Sequence, residues 1–240
     1  MSTDPLALAI EISRSTTRLL ATARGLSDEA VAGPSLLPGW TRGHVLTHLS
    51  RNADGAVNLL TWARTGVRTP QYESMARRAA DIEAGAGRVA AVQLDDLTGS
   101  CDRFAAAVDA MPAPAWSSMV ETTSGRKLAA AQFMWFRLRE VEIHHVDLDA
   151  GYVPDDWPEA FALRLCRTVA EHLDKQADGP RLIVRAPEVG HDLVLGDDAV
   201  TSPVVSGQVR AVVAWLIGRS NGSGLTVTPA GPLPPVPPLG

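Results

Sequence analysis

The sequence has little cysteine and few aromatic residues. Its two cysteines, Cys101 and Cys166, lie far apart and form no CxxC pair. A disulfide framework or a zinc site built on paired cysteines is therefore not expected, and a reducing compartment is the natural environment. Both cysteines lie among apolar neighbours in predicted helices. We interpret them as small buried hydrophobic residues rather than as nucleophiles.

Long hydrophobic runs and strong positive charge are also missing. No stretch approaches the roughly 18 apolar residues that span a membrane, and the N-terminal segment lacks the basic region of a signal peptide. The formal net charge is −5 and no basic stripe is visible, which argues against nucleic acid as a partner. These absences predict a cytoplasmic protein with neither a membrane nor a nucleic acid as partner.

The first part of the chain is rich in alanine and shows helical periodicity. Asp4 and Thr41 are suitable N-cap residues for two of the helices, and Gly25 and Gly66 are suitable ends. Four long helices are predicted, over residues 4–25, 42–65, 88–111 and 129–149, with another helical segment starting near residue 74. Long helices with short connections favour an antiparallel four-helix bundle.

Two more local predictions concern this region. The core face of the first helix is assigned by helical spacing to Leu6, Ile10, Ser13, Thr17 and Leu20. The segment 117–128 is predicted to form a short hairpin or turn.

After Gly151 the pattern changes to alternating short helices and strands. Helices are predicted over residues 158–176 and within 203–219, and strands over 181–187, 191–196 and 225–229, before a proline-rich irregular tail. The fold class is therefore predicted to be α+β. An N-terminal helical bundle, residues 1–151, is followed by a smaller C-terminal α/β domain, residues 152–240.

Histidine and glutamate recur at one-turn spacing on two of the long helices. His44 and His48 lie on the second long helix, and Glu140 and His144 on the fourth, so each pair shares a helix face. Facing helices of bundles commonly build metal sites in this way. Imidazole and carboxylate suit Zn²⁺, and three protein ligands leave a position open, as at catalytic zinc sites.

Spacing alone leaves several choices open around this site. A buried histidine is often only a hydrogen-bonded core residue, and spacing does not decide between His44 and His48. Glu142 and His145 fall on a different helix face and are placed outside the site. Asn52 and Asp147 are candidates to orient a ligand from behind.

Two segments carry a family resemblance. LPGWTRGHVLTHLSRNADGAVNLLTWARTG (residues 37–66) and GRKLAAAQFMWFRLREVEIHHVDLDAG (residues 125–151) are similar to the mycothiol-dependent maleylpyruvate isomerase family, whose N-terminal domain is DinB-like. The likeness extends over nearly the whole chain and is most specific in the REV-x-I-H run. It implies a DinB-like bundle that holds Zn²⁺, or another divalent ion, through His48, Glu140 and His144.

The same resemblance implies an activity. It is the cis–trans isomerisation of maleylpyruvate to fumarylpyruvate in gentisate breakdown, with mycothiol as cofactor. The resemblance also implies a catalytic, cofactor-binding arginine at Arg219, in AWLIGRSNGSG, paired with a carboxylate of cofactor or substrate. The competing interpretation of Arg219 is a solvated cation at a helix end. Arg78 and Arg126 are further candidates for contacts with a di-acid.

Two other functions stay open. The same site would serve a mycothiol S-transferase that joins the thiol to an electrophile. A non-catalytic metal-binding module is the second alternative, although a bare bundle would not need the second domain. The expected partners are a small-molecule di-acid and a thiol, and chain length together with the resemblance favours a monomer.

Overall fold

The structure is a computed structural model that describes residues 4–176, 179–196 and 202–237. The helices in this part of the chain are α1 Pro5–Arg24, α2 Asp28–Ala32, α3 Arg42–Thr65, α4 Met75–Ala86, α5 Ala90–Asp109, α6 Ala130–Asp147, α7 Glu159–Asp174 and α8 Val209–Leu216. The strands are β1 Met119–Glu121, β2 Lys127–Ala129, β3 Leu182–Arg185, β4 Leu193–Leu195, β5 Val204–Ser206 and β6 Thr226–Thr228. Single 3₁₀ turns occupy Ala113–Ser117, Pro154–Asp156 and Pro187–Val189.

The predicted α+β class is confirmed. Contacts divide the chain into two compact units, Met1–Tyr152 and Val153–Gly240. The first unit is helical apart from the β1–β2 hairpin, and the second combines α7 and α8 with a four-stranded sheet. Among the described residues, no helix is both long enough and apolar enough to cross a membrane.

Local capping chemistry sets the ends of α3. The Thr41 side chain accepts a hydrogen bond from the backbone N–H of His44, which satisfies a donor that the helix itself leaves unpaired. Gly66 closes the helix in the left-handed conformation, at φ 74°, a geometry that glycine adopts without steric cost. The predicted bounds of this helix are therefore confirmed.

The predicted core face of α1 is wrong. Leu6 and Ile10 are 62% and 56% exposed. The side chains that α1 buries are instead Leu8, Ile12, Ser15, Leu19 and Ala23. Apolar residues lie on both sides of this helix, so the periodicity of α1 by itself does not distinguish the two faces.

Four long helices, α1, α3, α5 and α6, pack around the core of the first unit. Helices α3 and α6 run antiparallel, because their contacts advance in opposite directions, at Arg42–Leu148, His48–Glu140 and Asn52–Arg137. Helices α3 and α5 run parallel, with contacts at Thr47–Gln93, Arg51–Asp96 and Asp54–Arg103. This pair departs from the antiparallel arrangement predicted for the bundle, because the connection through α4 is long enough to allow parallel pairing.

Helix α4 packs closely on the start of α3. A Cβ atom at Gly43 would overlap the carbonyl oxygen of Ala86, so glycine is what allows this approach. The buried Gln93 then joins the two helices, since its amide nitrogen donates to the carbonyl of Gly85 at 2.9 Å and its amide oxygen accepts from Thr47 at 3.1 Å. This packing fixes the position of α4 beside the first turns of α3.

The second unit has a mixed sheet in the order β4-β3-β5-β6. Strand β3 pairs antiparallel with β4 and parallel with β5, and β5 pairs antiparallel with β6. The predicted helix within residues 203–219 is present as α8, but β5, which precedes it, was not predicted. Its three residues are too few to show an alternating pattern.

Candidate metal centre

Three potential ligands converge between α3 and α6. His48 Nε2 lies 2.9 Å from Glu140 Oε2, and His144 Nε2 lies 3.5 Å from the same oxygen. One ligand atom from each residue lies within 4.8 Å of the other two, which is close enough to hold one metal ion. The geometry brings together the three residues that the family resemblance selected.

Burial and mutual hydrogen bonding tune the charges of this group. Burial lowers the pKa of His48 below its ordinary value, against the opposing effect of Glu140. Burial also disfavours charge on Glu140 and His144, but hydrogen bonding outweighs it for both. Bonds from His144 and His48 hold the pKa of Glu140 well below its usual range. Bonds to Asp147 and Glu140 raise the pKa of His144 to about 9.

Two further side chains hold the outer ring nitrogens of the histidines. Asp147 is fully buried, and its Oδ2 atom lies 2.8 Å from His144 Nδ1. This is the position expected of a residue that orients a ligand. Arg78 of α4 lies 2.8 Å from His48 Nδ1 through Nη2. A guanidinium group only donates, so Nδ1 accepts here and a neutral His48 carries its proton on Nε2.

His44 does not join the site. Its Nδ1 atom accepts from the backbone N–H of Thr41 at 3.1 Å and completes the N-terminal cap of α3. Its Nε2 atom lies 3.2 Å from Glu83 Oε2 on α4. Of the two histidines of α3, His48 therefore lies in the candidate cluster and His44 forms part of the helix cap. The Trp40 ring lies beside both, stacked on His44 and edge-on to His48.

Tyr72 comes close to the same site through the loop between α3 and α4. A Cβ atom at Gly55 would lie 2.9 Å from Tyr72 Cε1, so the missing side chain makes room for the ring. The backbone N–H of Tyr72 donates to Thr123 Oγ1 at 3.2 Å, which ties the loop to the β1–β2 hairpin. The Arg78 guanidinium then lies over the Tyr72 ring at 5.6 Å from its centroid.

Asn52 forms its hydrogen bond within the bundle. It accepts from Arg137 Nη1 at 2.7 Å, and the same nitrogen donates to the carbonyl of Leu49 at 3.1 Å. Arg137 is 1% exposed and reaches Cys101 Sγ at 3.7 Å with Nη2. This buried arginine joins α6 to α3 one turn away from the candidate ligands.

Glu142 and His145 lie outside the candidate site, as predicted. Glu142 accepts from Ser15, from Arg18 Nη2 at 2.7 Å and from the Tyr152 hydroxyl at 2.5 Å. The His145 ring stacks on Tyr152 with centroids 3.8 Å apart. Both residues are 1% exposed and belong to the packing of α6 against α1.

Two arginines, one in the β1–β2 turn and one on α6, lie against the same aromatic ring. The guanidinium carbons of Arg126 and Arg139 lie 4.8 Å and 5.9 Å from the centroid of the Phe136 ring. Burial lowers the pKa of Arg139, against the opposing effect of Glu140, and Arg126 lowers it further. The i, i+3 and i+4 spacing of Phe136, Arg139 and Glu140 was visible in the sequence, but Arg139 was not singled out.

Arg219 lies just beyond α8 in the second unit. Its backbone N–H donates to the carbonyl of Ala214 at 2.8 Å, and its Nη1 atom donates to the carbonyl of Ile217 at 3.0 Å. Both cysteines are buried, as predicted. Burial raises the pKa of Cys101 and raises that of Cys166 to about 12, which disfavours the thiolate in both.

Comparisons with known proteins identify the family of this chain. A family model described as the mycothiol maleylpyruvate isomerase N-terminal domain matches residues 12–149. Two crystal structures, of a mycothiol-dependent maleylpyruvate isomerase and of its histidine-to-alanine mutant, superpose with TM-scores of 0.88 and 0.87. Each is 28% identical to this chain and covers 98% of it and 97% of its own length. No curated protein matches. The chain belongs to the mycothiol maleylpyruvate isomerase family.

Proposed function

We propose that this protein is a thiol-dependent cis–trans isomerase that converts maleylpyruvate to fumarylpyruvate with mycothiol as the thiol. The observation that carries the proposal is the convergence of His48, Glu140 and His144 within 4.8 Å of one another. The proposal is supported by the likeness of both units to an enzyme of that name. The thiol would supply reversible addition to the double bond, which leaves a single bond able to rotate before elimination.

The three candidate ligands fit a divalent cation of the Zn²⁺ type. Two imidazole nitrogens and one carboxylate oxygen are a donor set that zinc accepts, and three protein ligands leave one position for a thiol or substrate. When bound, Zn²⁺ would favour the thiolate form of a coordinated thiol. His144 is positioned for such a role by Asp147, which holds its Nδ1 atom and leaves Nε2 facing Glu140.

We also propose that Arg78 couples metal binding at His48 to the binding of a substrate carboxylate. In the structure His48 Nδ1 accepts from Arg78, so Nε2 is the protonated nitrogen of the neutral ring. If Nε2 held a cation, the proton of the neutral ring would lie on Nδ1, and this N–H and the guanidinium would be two donors facing each other. Arg78 would then lose this acceptor and be available for a carboxylate of the substrate.

Arg219 is proposed to bind a carboxylate of the cofactor or substrate. The proposal for this residue rests on the match of its segment to the family pattern. Its planar guanidinium suits bidentate carboxylate recognition. We expect Arg219→Ala to lower kcat/KM for maleylpyruvate by about a hundredfold while zinc affinity is kept. Arg185→Ala, which removes an exposed arginine paired with Asp192 in the same unit, is the control.

The reaction itself is tested by incubating the zinc-loaded protein with maleylpyruvate, with and without mycothiol. Fumarylpyruvate formed only with the thiol is the expected result. Accumulation of a stable thiol adduct would instead assign the protein as an S-transferase. Zinc binding with neither product would leave a metal-binding module without this chemistry.

A further inference from the structure

Arg126 and Arg139 form a basic pair that the proposed chemistry does not yet use. They come from different elements, the β1–β2 turn and α6, and both lie against the Phe136 ring. The nearby acids are engaged elsewhere. Glu140 bonds to His48 at 2.9 Å, and Glu121 forms an ion pair with Lys127 at 3.9 Å. Within the described residues, neither arginine has a carboxylate in ion-pairing distance.

The pair lies on the same side of α6 as the candidate metal ligands. One broad face of α6 carries Phe136, Arg139, Glu140 and His144, which are spaced three, one and four residues apart. This face is partly accessible, since the side chains of Glu140 and His144 are 31% and 17% exposed. A ligand bound at the metal centre would therefore extend along α6 toward Phe136.

Holding two guanidinium groups against one ring is unfavourable without a counter-ion. Like charges repel each other, and the cost grows where water is partly excluded. The Nε atom of Arg139 is buried and has no hydrogen-bond partner in the described structure. A buried donor without a partner is expensive, so the arrangement is one that an anion would stabilise.

We propose that Arg126 and Arg139 bind the second carboxylate of a dicarboxylate whose other end lies at the metal centre. This inference rests on the proposed function for the nature of the ligand. The Phe136 ring, which both guanidinium groups contact, offers a flat apolar surface that matches an unsaturated chain linking two carboxylates. The chemical class selected is thus an unsaturated di-acid rather than a mono-acid.

The test compares two unreactive probes on the zinc-loaded protein by calorimetry. Muconate is an unsaturated six-carbon dicarboxylate, and sorbate has the same chain with one carboxylate replaced by a methyl group. The native protein should bind muconate at least about tenfold more tightly than sorbate, because charge-assisted bonds to the second carboxylate are lost in sorbate. Arg139→Gln and Arg126→Gln should each reduce this preference to about twofold or less.

Lys127→Gln is the matched control. It removes one positive charge from the same hairpin, on a side chain that is 74% exposed, and should leave the preference intact. Zinc affinity, measured by chelator competition, should be the same in all variants and reports an intact bundle. The inference is overturned if native protein does not prefer muconate, or if the preference survives in both arginine variants. Isomerase activity is measured in a separate assay. A protein that does not isomerise maleylpyruvate can therefore still support or overturn the proposed di-acid site.

Discussion

The two faces of α6 carry similar residues with different surroundings. One face presents Glu140 and His144, and the other presents Glu142 and His145. The first pair meets His48 of α3 across a partly accessible space, and its donor atoms point at one another. The second pair is 1% exposed and is bonded to side chains of α1 and to Tyr152.

The difference shows that a glutamate and a histidine on one helix face are not enough to form a metal site. Glu142 has three hydrogen-bond donors directed at its carboxylate, so its charge is compensated within the fold. Glu140 is compensated by histidines, whose protons a metal ion can replace. The hydroxyl and guanidinium donors around Glu142 keep their protons at neutral pH and stabilise the fold, whereas imidazole nitrogens that give up a proton are able to bind an ion.

Removing one candidate ligand is expected to have the largest effect, on zinc affinity. His144→Ala should reduce zinc affinity on the order of a thousandfold and abolish activity, because one of three donors is lost. His145→Ala changes the adjacent residue on the other face and should keep zinc affinity. Chelator competition on both variants measures the contrast. Equal zinc affinity in the two variants would contradict the ligand assignment.

A substitution on the opposite face of α6 should lower the free energy of unfolding and leave metal binding unchanged. Glu142→Ala removes the buried carboxylate that accepts from Arg18 and Tyr152, and should lower the free energy of unfolding by about 3 kcal/mol. Its zinc affinity should stay at the native value. Urea unfolding and chelator competition on the same sample separate the two effects. A loss of zinc with unchanged stability would reverse the roles assigned to the two faces.

A smaller effect is expected from the residue that orients His144. Asp147→Asn keeps the shape of the side chain but removes the charge that favours the protonated Nδ1 atom. Zinc affinity should fall about tenfold, as for other partners behind metal ligands. The unfolding midpoint serves as control. Native zinc affinity in this variant would show that Asp147 only packs.

The smallest effect is expected from the cysteines. Cys101→Ser and Cys166→Ser should both keep thiol-dependent activity, within about twofold, because neither buried thiol is disposed to ionise. The measurement is the isomerisation rate at saturating mycothiol. Complete loss in either folded variant would make that cysteine part of the chemistry.

Features encoded within a few residues were predictable from the sequence. The bounds of α3 follow from Thr41 and Gly66, whose effects depend on hydrogen bonds within one turn. The candidate trio followed from four-residue spacing on α6 together with the family resemblance. The core face of α1 was predicted wrongly, because Leu6 and Ile10 have the same periodicity as the side chains that are buried.

The sequence by itself therefore determined helix ends, the α+β class and the residue types available for a metal. Only the tertiary structure decided which side chains meet. Arg78 reaches His48 from thirty residues away because Gly43 lets α4 approach α3. Arg126 and Arg139 share one ring because a hairpin turn lies over α6. Such pairings depend on how whole elements bury their surfaces, and no local pattern records that choice.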